Sequence, residues 1–289
     1  MKFPPPPHPN PTKPKFTPPP GACDTHVHVF GPRDKFPYHP KTTYTPVDAP
    51  KEKLRALQGM LGFDRTVIVQ ATCHGTDNAA TLDAIATSNG RWKGVGIVDE
   101  SFTEKDFEAL DAGGIKGIRF SFARHLSGPP NFDRVHRIAE KIAGLGWHLV
   151  IYIEAEDIVD FADDLKKFKL SIVFDHMIRV KVADGLDSKP FQLLLDFMRN
   201  EDVWVKISCA ERLSKSGPPF HDVIPFAQAV IETKPDRALW GTDWPHPNLW
   251  TAMPDEGALV DLIPLYAPDE AVRHKLLVEN PAKLYGFEG

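Results

Sequence analysis

The chain has 289 residues, 42% hydrophobic and 25% charged, with a formal net charge of −5. That balance supports a large buried core, and without a basic block or a long acidic run it offers nothing for nucleic acid or a membrane surface to bind. The length fits either two average domains or one (β/α)8 barrel of about 250 residues, and a local arginine cluster could still attract a small anion.

Residues 1–20, MKFPPPPHPNPTKPKFTPPP, read as an extended arm of polyproline character lying along the rest of the chain or a neighbouring subunit. Prolines occupy the positions where a signal peptide would be apolar. From residue 21 to 289 the pattern is that of one barrel domain. Runs rich in Val, Ile and Phe predict strands over Cys23–Phe30, Thr66–Thr72, Gly94–Asp99, Gly117–Phe122, His148–Glu154, Ser171–His176, Val203–Cys209 and Leu239–Trp244. Their near-continuous apolar character suits parallel strands covered by helices. Between them, helices are expected over Lys51–Leu61, Asn78–Ser88, Glu104–Ala112, Phe132–Ala143, Glu156–Phe168, Pro190–Asn200 and His221–Thr233, with Asp77 and Thr103 as N-caps and Gly62 and Gly144 as stops. No apolar run is long enough to span a bilayer. Cys23, Cys73 and Cys209 form no C-x-x-C pair, which suggests reduced thiols in a cytoplasmic protein.

Eight strand–helix alternations allow a barrel or an open doubly wound sheet. The first strand lacks a following G-x-G-x-x-G, which weakens the dinucleotide-binding alternative. Polar residues instead gather where the strands end: His28, His74, Arg119, Tyr152, His176, Arg212 and Asp243. A TIM barrel places its catalytic groups there. The predicted fold is therefore an α/β single-domain (β/α)8 barrel.

Within Asp24-Thr25-His26-Val27-His28, strand alternation turns both histidines to one side, where two imidazoles can hold a divalent metal or a carbonyl oxygen. His176 closes the sixth strand. Asp243 follows the eighth, within Gly241-Thr242-Asp243-Trp244-Pro245-His246. A carboxylate in such a run is costly to bury unless it is paired, which favours a site over a structural role. Arg119 interrupts an apolar strand.

Together these positions resemble the amidohydrolase superfamily, and within it the 2-pyrone-4,6-dicarboxylate lactonases of aromatic-acid degradation. The resemblance is carried by TPPPGACDTHVHVFGP, VIVQATCHGTDNAATLDAIA, GIKGIRFSF, VIYIEAE, FDHM, ERLSKSGPP and LWGTDWPHPN. It implies that Asp243 is the general base that activates water, and that His26, His28 and His176 hold and polarise the lactone carbonyl. It implies carboxylate clamps at Arg119 and Arg212. Tyr44, Tyr152 and Arg179 match further substrate contacts, and Thr72 and His74 lie in a matching motif. The match departs at Arg124-His125, where those lactonases carry a lysine–arginine pair, and around Arg179, whose flanking glycine and proline are replaced.

The implied partner is a small anionic lactone, with an oligomer left open. A 4-sulfomuconolactone hydrolase is the competing reading within the same scaffold. The resemblance implies no required metal. The alternative is a mononuclear zinc on His26, His28, His176 and Asp243, in a decarboxylase or amidohydrolase acting on a related aromatic acid.

Overall fold

The eight apolar runs form eight parallel strands in the order β1 to β8: Cys23–Val27, Arg65–Val69, Trp92–Gly96, Ile115–Ser121, His148–Tyr152, Ile172–Phe174, Val203–Ile207 and Ala238–Trp240. The computed structural model describes residues 3–123, 130–199 and 202–288. Neighbouring strands pair in chain order. The ring is drawn together where β1 meets the segment after β8, through a parallel bridge from Val27 to Trp244. Two backbone bonds hold that seam: His28 N–H donates to Trp244 O at 2.7 Å, and Asp243 N–H donates to His26 O at 2.8 Å. This is the expected (β/α)8 barrel.

Helices α1 (Lys51–Leu61), α2 (Ala79–Ala86), α3 (Glu104–Ala112), α4 (Phe132–Ile142), α5 (Ala155–Leu165), α6 (Lys189–Arg199) and α7 (Ile224–Thr233) pack outside the strands. Each turns an apolar stripe inward; Leu54, Ile85, Phe107, Ile138, Ile158, Leu194 and Val230 all join one buried cluster with the outer strand faces. Each such side chain contributes about 1.5–3 kcal/mol by leaving water. Thr103 caps α3 in a reciprocal box with Asp106, and Gly62 ends α1 in the left-handed conformation at φ 89°.

Two expected helix caps move. The position before α2 is Asn78, while Asp77 still accepts the Ala79 N–H at 3.0 Å. After α4 the chain runs on through a 3₁₀ turn past Gly144, and Gly146 makes the left-handed stop.

The inside of the barrel is filled by Cys23, Val67, Val69, Val95, Val150, Val173, Trp204 and Leu239, with Tyr285 and Phe287 from the C-terminal segment packed against them. Residues 3–22 contain no helix or strand. They are tied down where Thr12 donates to both Asp255 carboxylate oxygens, and where the backbone N–H groups of Lys15 and Phe16 donate to Asp261. Among the described residues no helix is long and apolar enough to cross a membrane.

Candidate active site

Strand β1 carries the first site residues, and a register shift between Asp24 and Val27 decides where they point. Cys23 faces the barrel interior and Asp24 the outer side, where it meets Gln58 of α1. Strict alternation from Cys23 would then send His26 outward. The irregularity resets the phase, so that His26 and His28 both reach the mouth. Asp243 meets them from across the seam, on backbone at φ 67°. Its Oδ1 lies 3.5, 3.3 and 3.9 Å from Nε2 of His26, His28 and His176. The four residues predicted to be catalytic therefore converge on one carboxylate oxygen.

His176 reaches this point through an unusual backbone. His176, Met177, Ile178 and Arg179 all have φ between 47° and 54°, a left-handed turn made without glycine. L-residues pay about 1–2 kcal/mol each for that conformation, and such strain concentrates at functional sites. It explains why the strand is shorter than the apolar run predicts: β6 stops at Phe174, and the next two side chains turn into the barrel.

Asp243 Oδ2 meets a different set of groups. Arg212 Nη2 donates to it at 3.3 Å and to Pro247 O at 2.9 Å, and Cys209 Sγ lies 3.1 Å away. A narrow cleft opens above, lined by His28, Tyr44, Ala71, Thr72, Arg119, Tyr152, His176, Arg212, Asp243, Pro247 and Asn248. His26 sits just beneath this surface. His74 lies outside the lining, buried with Nδ1 on Pro37 O at 3.3 Å and its ring against Tyr38. Arg179 points away from the cleft floor, with Nη1 on Tyr152 Oη at 3.1 Å and Glu154 at 3.4 Å. Arg124 and His125 lie outside the described residues.

Below the cleft are two charged residues that the sequence reading passed over. Asp175 and Lys206 are both fully buried. Lys206 Nζ lies 3.3 Å from Asp175 Oδ1 and 3.2 Å from His26 Nδ1, and Arg119 Nε donates to Asp175 Oδ2 at 2.9 Å. Arg119 also stacks its guanidinium over Tyr152, 4.9 Å from the ring centre. The predicted substrate arginine is thus anchored through Nε on an internal carboxylate while it lines the cleft. The signal for Lys206 was its phase: it lies two residues from inward-facing Trp204, so in a closed barrel it faces in as well.

Burial pushes the Asp243 and Asp175 carboxyls up, but the facing cations and imidazoles outweigh it. His176, His28, Arg212 and His26 hold Asp243 well below the usual carboxylate range; Lys206, His26 and Arg119 do the same for Asp175. Burial lowers His176 to about 4 and His148 to about 3, so both are neutral near pH 7. His246 moves the other way, to about 9: burial lowers it, but Glu211 and Glu256 more than compensate.

These shifts fix the pH dependence of stability. A free histidine titrates near 6.5. Between pH 6.5 and 4 the unfolded chain binds protons that His176 and His148 refuse, so stability falls as the pH drops through that window. The His246 contribution is complete below pH 6.5 and is lost as the pH rises through about 9. Melting temperature should therefore peak near neutrality, which calorimetry across pH 4.5–9.5 measures. A flat profile from 4.5 to 6.5 would contradict the buried neutral histidines.

One ligand atom each from His26, His28 and Asp243 falls within 4.8 Å of the others, and the same holds for His176, Cys209 and Asp243. Residues able to hold a metal ion are thus present. The Lys206 ammonium and the Arg212 guanidinium contact the same cluster, and their charge opposes a bound cation.

Residues 23–287 match the family model described as Amidohydrolase. The chain is 49% identical over 285 residues to a 2-pyrone-4,6-dicarboxylate hydrolase of Comamonas testosteroni, covering 96% of this chain and 93% of that one. It is 40% identical over 274 residues to a 4-sulfomuconolactone hydrolase of Rhizobium radiobacter, covering 94% and 92%. A solved ligand-free structure from Agrobacterium tumefaciens superposes with a TM-score of 0.83 at 30% identity, over 95% of this chain and 99% of that one.

Proposed function

The chain belongs to the amidohydrolase family, and from that membership we propose that it is a lactone hydrolase opening 2-pyrone-4,6-dicarboxylate to an open-chain tricarboxylate. The observation that carries this reading is the division of labour around Asp243: imidazoles on one oxygen, Arg212 on the other, beneath a cleft that Arg119 also lines. A carboxylate kept ionised by its neighbours is a base, and a pair of guanidinium groups above it suits a dianion.

In this reading Asp243 takes a proton from water while the oxygen attacks the lactone carbonyl. His26 and His176 donate to the oxyanion that forms. The tetrahedral intermediate collapses with cleavage of the ring C–O bond, and the departing ring oxygen takes back the proton held by Asp243. His28 Nδ1 donates to Val69 O at 2.7 Å, so the hydrogen on that nitrogen is fixed. Its Nε2 faces the Asp243 carboxylate at 3.3 Å and helps anchor the base. Arg119, Arg212 and Tyr152 hold the substituent carboxylates, with Tyr44 and Thr72 completing the wall. Arg124 and His125 are assigned to substrate contact from the sequence match alone. The chemistry requires no metal, and the enzyme acts on a free small molecule in the cytoplasm.

The pyrone absorbs in the ultraviolet, so loss of its band with purified protein is the direct assay. Turnover is expected at neutral pH, and none at micromolar enzyme would reject this substrate. The 40% relative favours 4-sulfomuconolactone as the second compound, in which a sulfonate replaces a carboxylate.

A further inference from the structure

Lys206 occupies a position that calls for an explanation. It lies in the interior of the barrel with no exposure, on β7, between inward-facing Trp204 and the mouth residue Ser208. A buried ammonium is expensive, and a well-packed apolar residue of similar volume is often as stable or more so. Its pairing with Asp175 accounts for only part of its geometry. The ammonium also lies 3.2 Å from His26 Nδ1, in hydrogen-bonding alignment with that nitrogen.

Asp175 Oδ1 is equally close to the same nitrogen, at 3.2 Å, so two arrangements compete. In one, Nδ1 carries a hydrogen and donates it to Asp175. In the other, Nδ1 is the acceptor and Lys206 the donor. The angles separate them. Asp175 Oδ1 has no aligned hydrogen-bond donor, whereas the Lys206 contact is aligned. An ammonium has hydrogens and no lone pair, so a hydrogen bond to it requires the Nδ1 lone pair. The single hydrogen of the neutral ring must then sit on Nε2. That atom is buried, has no hydrogen-bond partner, and stands 3.5 Å from Asp243 Oδ1.

We propose that Lys206 is a positioning residue: by donating to Nδ1 it holds the His26 hydrogen on Nε2, making His26 a donor to the substrate oxyanion and not a metal ligand. The oxyanion part rests on the lactonase reading above; the tautomer does not. A histidine ligand offers its metal a bare nitrogen, and its other nitrogen usually donates to a carboxylate or carbonyl. His28 has that arrangement, with Nδ1 on a backbone carbonyl. His26 has the opposite one. The H-x-H pair is thus divided between two protonation patterns, and Lys206 makes the division.

Two measurements test this without any lactone, so a failed activity assay leaves them intact. The first is a long-range ¹H–¹⁵N correlation spectrum of histidine-labelled wild-type protein, with the His26 ring assigned by its loss in His26→Asn. The hydrogen is expected on Nε2; a hydrogen on Nδ1 overturns the proposal. In Lys206→Met it should move to Nδ1, where Asp175 can accept it, and a ring unchanged in that variant also overturns the assignment. The second is calorimetric titration with zinc alone. Lys206→Met should bind zinc at least about tenfold more tightly than wild type, the scale on which such supporting partners act. Equal affinity would show that Lys206 does not exclude the metal. If Lys206→Met fails to fold, the wild-type spectrum decides the tautomer by itself.

Discussion

Asp243→Asn should lower kcat by about 10²–10⁴-fold, the range for loss of a positioned general base, while KM changes by less than about threefold. That corresponds to about 2.7–5.5 kcal/mol on the barrier. The substitution keeps volume and shape. The amide oxygen can still accept from Arg212 Nη2, which lies 3.3 Å from Oδ2 in the wild type. The amide NH₂ takes the place of Oδ1, facing His28 Nε2. What disappears is the ability to take a proton from water. Steady-state loss of the pyrone band gives kcat and KM, and calorimetric titration of the inert variant with substrate gives the binding constant directly. Activity above a tenth of wild type would place the base elsewhere; loss of binding together with turnover would make Asp243 a substrate ligand instead.

Sequence patterns are informative here where both strand faces are buried by the same kind of neighbour. Val67–Val69, Val150–Ile153 and Val203–Val205 read as strands because a parallel barrel strand is apolar on its inner and outer sides alike. Overshoot at the ends of β6, β7 and β8 has one physical cause. His176, Cys209 and Asp243 continue the apolar run in composition, but their backbone leaves the ladder at φ 53°, 61° and 67°. Side-chain chemistry carries no trace of that turn. The β1 irregularity was hidden for a related reason. The spacing of His26 and His28 fixes their common side, but not which side, and that depends on a register set by the neighbouring strand. Lys206 and Asp175 were not singled out in the sequence. Their roles come only from three-dimensional pairing across β4, β6 and β7. Motif resemblance located the converging quartet, yet grouped with it His74 and Arg179, which the fold keeps outside the cleft lining.

Asp24→Ala should cost about 3–5 kcal/mol of stability, although Asp24 touches no substrate. Its carboxylate is fully buried on the outer side of β1 and accepts from four donors. Oδ1 takes Thr242 N–H at 3.0 Å and His26 N–H at 3.2 Å; Oδ2 takes Thr242 Oγ1–H at 2.7 Å and Gln58 Nε2–H at 2.9 Å. These bonds tie α1, β1 and the segment after β8 at the seam where the ring closes with little ladder of its own. Alanine would leave all four donors buried and unpaired. At about 2–4 °C per kcal/mol for a chain approaching this size, the melting temperature should fall by roughly 6–20 °C. Asp24→Asn keeps one acceptor oxygen and should lie between the two. The catalytic consequence follows from position, since Thr242 and the His26 backbone flank the two groups that must stay in register, Asp243 and the His26 ring. The folded Asp24→Asn variant should therefore lose more in kcat than in KM, because water activation depends on that register more than substrate capture by Arg119 and Arg212 does. Calorimetry and steady-state kinetics on the same preparations test both halves. A melting temperature for Asp24→Ala within about 2 °C of wild type, below the shift expected for even one lost buried bond, would mean that the seam is held by the backbone bridge alone.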